Sequence, residues 1–261
     1  MKQTSLFVLL LLITLLGTGA ASFAACSATS LTAGSGVWGA EAYGTDSSGN
    51  LDNILMQVTF VSGGTFSGTE WQSIAGTITG PTAISGTWSQ VTPATDCQGT
   101  FKVTSPSTQT FNFAINNANK GGSLVQTDAS YTIAGFMVAQ ASTLTCSATT
   151  LKSKEFSLYS NGTIPAAGGL VTGTGEIKFA STGTTFSAVP SVTLDLGAVG
   201  HFTAPANGTA TVVAGCTGTG SLTVPALSQT FDVDLVIVGT GNEALWIVTN
   251  SGDNVTGYFL E

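Results

Sequence analysis

Few side chains in this sequence have the chemistry to act on a substrate. His201 is the only histidine, which excludes a histidine-rich metal site. Serine is plentiful, yet no G-x-S-x-G nucleophile elbow occurs. A loop or strand histidine near Pro205 is therefore the simpler reading of His201. Asp232 and Asp234 flank Val233, so on a strand their carboxylates share one face. With one pKa raised, such a pair can do the acid–base work of a hydrolase or isomerase, but outward, solvated carboxylates are the commoner arrangement. Asp46, Asn50 and Asp52 lie in an oxygen-rich stretch of the kind calcium prefers. Their spacing is not that of an EF-hand, and Gly49-Asn50 is ordinary hairpin punctuation. Trp71 is the best candidate for an exposed aromatic that stacks a sugar ring or an apolar ligand. No residue set calls for a cofactor.

The elements that must hold these residues come in two copies. Cys26-Ser27-Ala28-Thr29 returns as Cys146-Ser147-Ala148-Thr149, and Cys97-Gln98-Gly99-Thr100 returns as Cys216-Thr217-Gly218-Thr219. Gln109-Thr110-Phe111 is answered by Gln229-Thr230-Phe231, and Gly64-Thr65-Phe66-Ser67 by Thr184-Thr185-Phe186-Ser187. One module of about 115 residues is thus written twice. In this register Asp232 and Asp234 match Asn112 and Ala114, so the acidic pair is not shared. Trp38, Trp88 and Trp246 match Leu158, Ala210 and Leu124, the trading of volumes expected at core positions. Only the pairing Cys26–Cys97 and Cys146–Cys216 respects the repeat, and it makes each bridge a structural staple.

Residues 1–24 read as a signal peptide: Lys2, an apolar run from Leu6 to Leu16, then Ser22-Phe23-Ala24 as a cleavage site. The run is too short to span a bilayer as a helix. Lipidation at Cys26 is the competing reading, opposed by Phe23 where a lipobox has Leu and by the partner it would take from Cys97. The mature protein is expected to be secreted or to reside in the periplasm or cell envelope. Only 8% of residues are charged, with six lysines, no arginine and fourteen carboxylates, against about 25% charged in an average soluble domain. Nucleic acid is excluded as a partner, because counterion-release binding needs a basic face. Asn161, Asn207 and Asn254 fit the glycosylation acceptor pattern, which turn chemistry explains equally well.

No helical stripe follows residue 25; strand signals recur instead, separated by turns such as Ser62-Gly63-Gly64 and Gly121-Gly122. In the first module strands are expected over 36–43, 53–61, 65–74, 76–84, 86–92, 99–104, 110–116, 123–128 and 130–138. In the second they are expected over 156–159, 169–180, 184–196, 208–213, 218–224, 230–238, 244–249 and 254–260. The modules take residues 25–140 and 141–261, joined by the short stretch 140–145. Hairpin-length connections exclude a parallel sheet. The fold expected is all-β: two tandem antiparallel up-and-down β-barrels of about eight strands each, with β-sandwiches as the alternative. Closure is favoured because such uncharged strands have no lysines to protect an open edge.

The order of Cys-Ser-x-x-(Ser/Thr)-Leu, a Gly-Thr-x-(Ser/Thr)-Val strand ahead of Cys-x-Gly-Thr, a Phe-x-(Phe/Val) strand and a final Val-x-Gly strand resembles a group of exported, uncharacterised bacterial proteins. That group is built from one or two disulfide-clipped β modules of this size. The resemblance covers nearly all of the mature chain and is plainest at Gly208–Val212 and Cys216–Thr219. It implies a secreted β-barrel and supplies no activity, ligand or catalytic residue. Avidin and lipocalins are similar in architecture only. Three classes of function stay open. The first is a non-enzymatic binding protein for a small apolar molecule or a glycan, held in a barrel or between the two. The others are a structural or adhesive envelope protein, and a hydrolase or isomerase using Asp232 and Asp234.

Overall fold

A computed structural model describes residues 30–90, 97–116, 121–165, 169–197 and 200–261. The signal-peptide stretch, Cys26 and the insertion around Pro93 lie outside the described residues. Eight strands form the first barrel: β1 (Val37–Thr45), β2 (Leu51–Val61), β3 (Thr65–Ile74), β4 (Thr77–Gln90), β5 (Gln98–Ser105), β6 (Gln109–Asn116), β7 (Gly121–Gln126) and β8 (Ala134–Ala139). Each pairs with the next, and β8 returns antiparallel to β1 to close the ring. The second barrel uses β9 (Glu155–Ile164), β10 (Gly169–Phe179), β11 (Thr185–Asp195), β13 (Asn207–Val212), β14 (Thr217–Val224), β15 (Gln229–Val238), β16 (Glu243–Val248) and β17 (Asn254–Leu260). It closes from β17 to β9. A short extra strand, β12 (His201–Ala204), pairs on the far half of β11.

Two tandem, closed, antiparallel eight-stranded barrels are therefore the architecture. Besides shifted ends, such as β8 starting at Ala134 and β9 running on to Ile164, two local expectations change. The stretches 76–84 and 86–92 belong to one strand, β4, which runs through Gly86. That glycine is not a break. A Cβ there would lie 1.9 Å from the Lys102 carbonyl oxygen and 2.8 Å from the Phe66 ring, so the missing side chain lets strand and ring close up. The second change is β12, four residues too short and too polar to announce a strand.

Alternation fills each barrel from the inside. In the first, Phe60, Phe66, Trp88, Phe101 and Phe111 form a contiguous aromatic interior, with ring centroids 4.9 to 6.0 Å apart. Two of the buried indole N–H groups find carbonyls, Trp38 donating to Leu31 at 2.9 Å and Trp88 to Val61 and Thr65 at 3.1 Å, whereas those of Trp71 and Trp246 have no partner. The second barrel packs Phe156, Phe179, Phe186, Trp246 and Phe259 with aliphatic neighbours. Cys146 and Cys216 are bridged across a separation of 70 residues. Cys97 is also disulfide-bonded, and its expected partner is outside the described residues.

The barrels are welded side by side. Gln140 donates through Nε2 to the Ile237 carbonyl at 2.6 Å, and the Ala141 and Gly239 amides bond to Gly239 and Ala139 across the same junction. Leu55 and Trp71 of the first barrel pack with Val236, Val238, Leu245 and Ile247 of the second, all buried. Gly39 of β1 lets them meet: a Cβ at that position would sit 2.4 Å from Val238 Cγ1 and 3.2 Å from Leu245 Cδ1. No α-helix occurs among the described residues, and none there is long and apolar enough to cross a membrane, which says nothing of β-barrels.

Candidate functional site

The outer faces of β1, β2 and β8 place one unusual residue at the seam. Along β1, Ala40 and Ala42 point into the first barrel, so Gly39, Glu41 and Tyr43 face the second. Glu41 is only 2% exposed, and its strand neighbours are Leu55 on β2 and Phe136 on β8. Desolvation pushes its carboxyl up to about 8, against the neighbouring Thr256 hydroxyl of β17, which pulls the other way. At neutral pH the group is a carboxylic acid, because no cation accompanies it into the seam. Its Oε2 has no hydrogen-bond partner. Phe136 meets Tyr258 edge-on with centroids 5.5 Å apart, and Tyr258 stacks on Tyr159 at 5.2 Å. Burial raises the Tyr159 hydroxyl pKa, with smaller contributions from Tyr43, Tyr258 and Glu41.

Beside the Phe136–Tyr258 pair the barrels leave a groove of about 290 Å³, lined by Phe136, Val138, Glu243, Leu245, Tyr258 and Leu260. It adjoins a second, more polar hollow of about 420 Å³ along the linker, where Gly34, Gln140, Ser142, Thr240 and Asn242 stand. Val138 and Glu243 border both. Burial raises the Glu243 carboxyl as well. The barrel interiors offer less room. Between Leu158, Ser160, Val192, Leu222 and Val255 the second barrel keeps about 30 Å³, enough for a water or two. In the first barrel one end is polar: Asp52 and Glu70 point inward, pushed by desolvation up to about 6 and about 7. Gln72 donates to both Asp52 oxygens at 2.9 and 3.0 Å, and Gln109 to Glu70 at 3.3 Å.

Comparisons with family models and with curated proteins find no match for this chain. Among solved structures it is similar to kievitone hydratase from Nectria haematococca, at 11% identity over 93% of this chain and 94% of that one, with a TM-score of 0.28. It is similar to isotype 1 transferrin binding protein B from serogroup B Neisseria meningitidis at 10% identity, over 82% and 64% of the two chains, with a TM-score of 0.33. A protein of unknown function from the DUF3598 family of Nostoc punctiforme is similar at 10% identity, over 88% and 95%, with a TM-score of 0.22. Likeness at this level lends the chain neither activity nor ligand.

The residues singled out in the sequence are scattered. Trp71 is not exposed: at 4% it is sealed in the seam, because its strand face is the one the second barrel covers. Asp232 and Asp234 lie on the outer face of β15, with Phe231, Val233 and Leu235 turned inward. Asp232 is exposed and Asp234 partly covered, and that cover raises the Asp234 carboxyl. Asp46 folds its own hairpin, accepting from the Ser48 and Asn50 amides at 2.8 Å and from Asn50 Nδ2 at 3.1 Å. Asp52 turns the other way, into the barrel, so the oxygen-rich loop does not converge. Among the described residues no three acidic, His or Cys side chains gather as a metal site. His201 is exposed, 3.6 Å from Asp195. Asn254 is 1% exposed and donates to the Leu51 carbonyl at 2.7 Å, which leaves no room for a glycan there.

Glu41, Phe136, Tyr159, Glu243 and Tyr258 were not singled out by the sequence. A signal was present: Glu41 is a lone acid between alanines, and Leu235–Val238 and Ala244–Val248 are unbroken apolar runs where other strands alternate. Such runs mark strands covered on both faces.

Proposed function

We propose that this chain is a non-enzymatic binding protein, acting outside the cytoplasm, whose site is the groove between its two barrels. Its ligand is a small molecule with an apolar or aromatic part. One observation carries the reading: an apolar hollow with aromatic walls opens between the barrels, whereas the interior of the second barrel keeps only about 30 Å³. About 290 Å³ beside Phe136 and Tyr258 approaches the size of known small-molecule sites, which are concave, mostly apolar and furnished with a few polar groups. The Cys146–Cys216 bridge supports an oxidising compartment. The non-enzymatic part is supported by the dispersal of the titratable groups. Asp232 and Asp234 face outward, His201 is on an exposed edge, and Asp52 and Glu70 are enclosed. A glycan fits less well than an apolar molecule, since Trp71, the aromatic best suited to stack on a sugar, is covered.

Filled interiors favour a second reading, a structural or adhesive envelope protein whose working surface is its outside. Native mass spectrometry of the protein isolated from the cells that make it separates the two. The binding reading expects a retained small-molecule mass, lost from the Phe136→Ala and Tyr258→Ala variants. A bare polypeptide mass in the wild type, with no compound from a panel of aromatic amphiphiles retained, overturns it in favour of the structural reading.

A further inference from the structure

The rim of the first barrel where β1, β3, β5 and β7 end gathers polar side chains that the groove does not use. Asp52 is the second residue of β2, Glu70 and Gln72 lie near the end of β3, Gln109 opens β6 and Gln126 closes β7. Alternation turns all five into the lumen, on the faces that carry Ile54, Phe66, Phe111 and Leu124. Gln109 reaches from β6 to β3 and donates through Nε2 to Glu70 Oε1 at 3.3 Å, and the charge of Asp52 is felt at Glu70. Gln72 donates to Asp52, and Gln126 Nε2 to Asp128 Oδ2 at 3.0 Å. Each glutamine nitrogen thus faces a carboxylate, which fixes the orientation of the amide and turns its oxygen away. Glu70, Gln109 and Gln126 are 7%, 7% and 5% exposed, and Glu70 Oε2, Gln109 Oε1 and Gln126 Oε1 are buried without a partner. All three are oxygens that accept. No lysine answers them: Lys102, the described lysine of the first barrel, points outward from β5 and is exposed. Nor does the fold require this polarity. The repeat puts Val192 where the first barrel has Gln72, and the lumen around Val192 is lined by aliphatic side chains.

We propose that this end of the first barrel binds one calcium ion, held by Glu70 Oε2 and the amide oxygens of Gln109 and Gln126, with Asp52 supplying the second negative charge. Calcium takes about six to eight oxygen ligands, carboxylate and amide oxygens among them, in irregular cages. Magnesium demands octahedral geometry and gives up its waters reluctantly, so an enclosed set of side-chain oxygens suits it less. Two enclosed carboxylates without a cation are costly, and a divalent ion offsets both charges while it satisfies oxygens that no donor reaches. The set holds two acids and not three, the remaining ligands being neutral amides. It is not the oxygen-rich loop at 46–52 either, since only Asp52 belongs to both. The site lies inside the first barrel, apart from the groove between the barrels, and its occupancy does not depend on the groove's.

Calorimetric titration of calcium chloride into the full mature protein, stripped of metal by a chelator and dialysis, tests this, with thermal denaturation as a second readout. Wild type is expected to take up one calcium per chain, and about 10 mM calcium to raise its Tm by about 3 °C or more. Glu70→Gln loses both the uptake and the shift. In calcium-free buffer that isosteric variant melts no lower than wild type, because a neutral amide escapes the cost of an enclosed charge, and this shows that it folds. Gln126→Met keeps both carboxylates and still weakens the uptake severalfold, which general attraction to the acids would not explain. Asp232→Asn, at an outward acid of the second barrel, changes neither readout. No uptake by wild type, uptake that Glu70→Gln and Gln126→Met leave unchanged, or uptake cut equally by Asp232→Asn overturns the site, and water alone then serves the lumenal oxygens.

Discussion

Glu41 is the residue on which the molecule's pH response turns. In the unfolded chain its carboxyl has the ordinary value of 4.5, and in the seam it is raised to about 8. Below the unfolded value both states hold the proton and its contribution to stability is complete. As pH rises toward 8 the unfolded chain ionises while the folded one does not, so stability falls through that window and levels off above it. For Glu41 alone the loss reaches at most about 5 kcal/mol. Glu70 and Asp52 act with the same sign, over windows that close near 7 and 6. Urea denaturation at pH 5 and pH 8 should show wild type losing stability with pH, and Glu41→Gln losing clearly less. Parallel slopes would mean that Glu41 is not buried as an acid. None of this was legible one residue at a time. Strand alternation assigns position 41 to the outside of its barrel, and an outside acid is normally solvated; only a second barrel makes it buried.

At the scale of the strand, pattern carried most of the architecture. The limits of β3 and β17 coincide with those read from the sequence; β3 lies between the turn glycines Gly64 and Gly76. Gly86 misled, since a glycine inside a strand looks like an end until the ring it admits is seen. β15 and β16 show the complementary case. On β7 Ser123 and Val125 face outward and are exposed, whereas the matching Leu245 and Ile247 of β16 are buried, and beyond Asp232 and Asp234 the outer face of β15 continues with buried Val236 and Val238. One copy of the module thus has an outer face that is solvated and the other has a face that is covered. Gly39 is where that cover seats, and Gly39→Val should lower stability by roughly 1–3 kcal/mol, the range for overpacking. Faster hydrogen exchange confined to β1, β2, β15 and β16 would locate the damage at the seam. A variant as stable and as protected as wild type would show that the barrels do not press together there.

For the molecule as a whole, the apolar seam and the bonded linker couple two units that each have a core of their own. Removing the second staple with Cys146→Ser and Cys216→Ser should destabilise by about 2–4 kcal/mol in the chain-entropy account of a 70-residue separation. Because the seam is shared, the loss should appear in both barrels, as a single denaturation transition shifted together. Two separated transitions, with the first barrel unmoved, would show that the units unfold independently.

The repeat, the strand periodicity and the matched cysteines are local or internally compared features, so two tandem antiparallel β modules were legible in the sequence, with barrels favoured over sandwiches. The β1–β8 and β9–β17 pairings show the closure. Which faces of those barrels meet is a matter of complementary shape between segments far apart in the chain: Gly39 against Val238, Glu41 against Thr256, Phe136 against Tyr258. No periodicity records such pairings. Only packing between distant segments settles that Trp71 is covered, that Asp52 and Glu70 turn inward, and that an apolar groove opens where the two barrels meet.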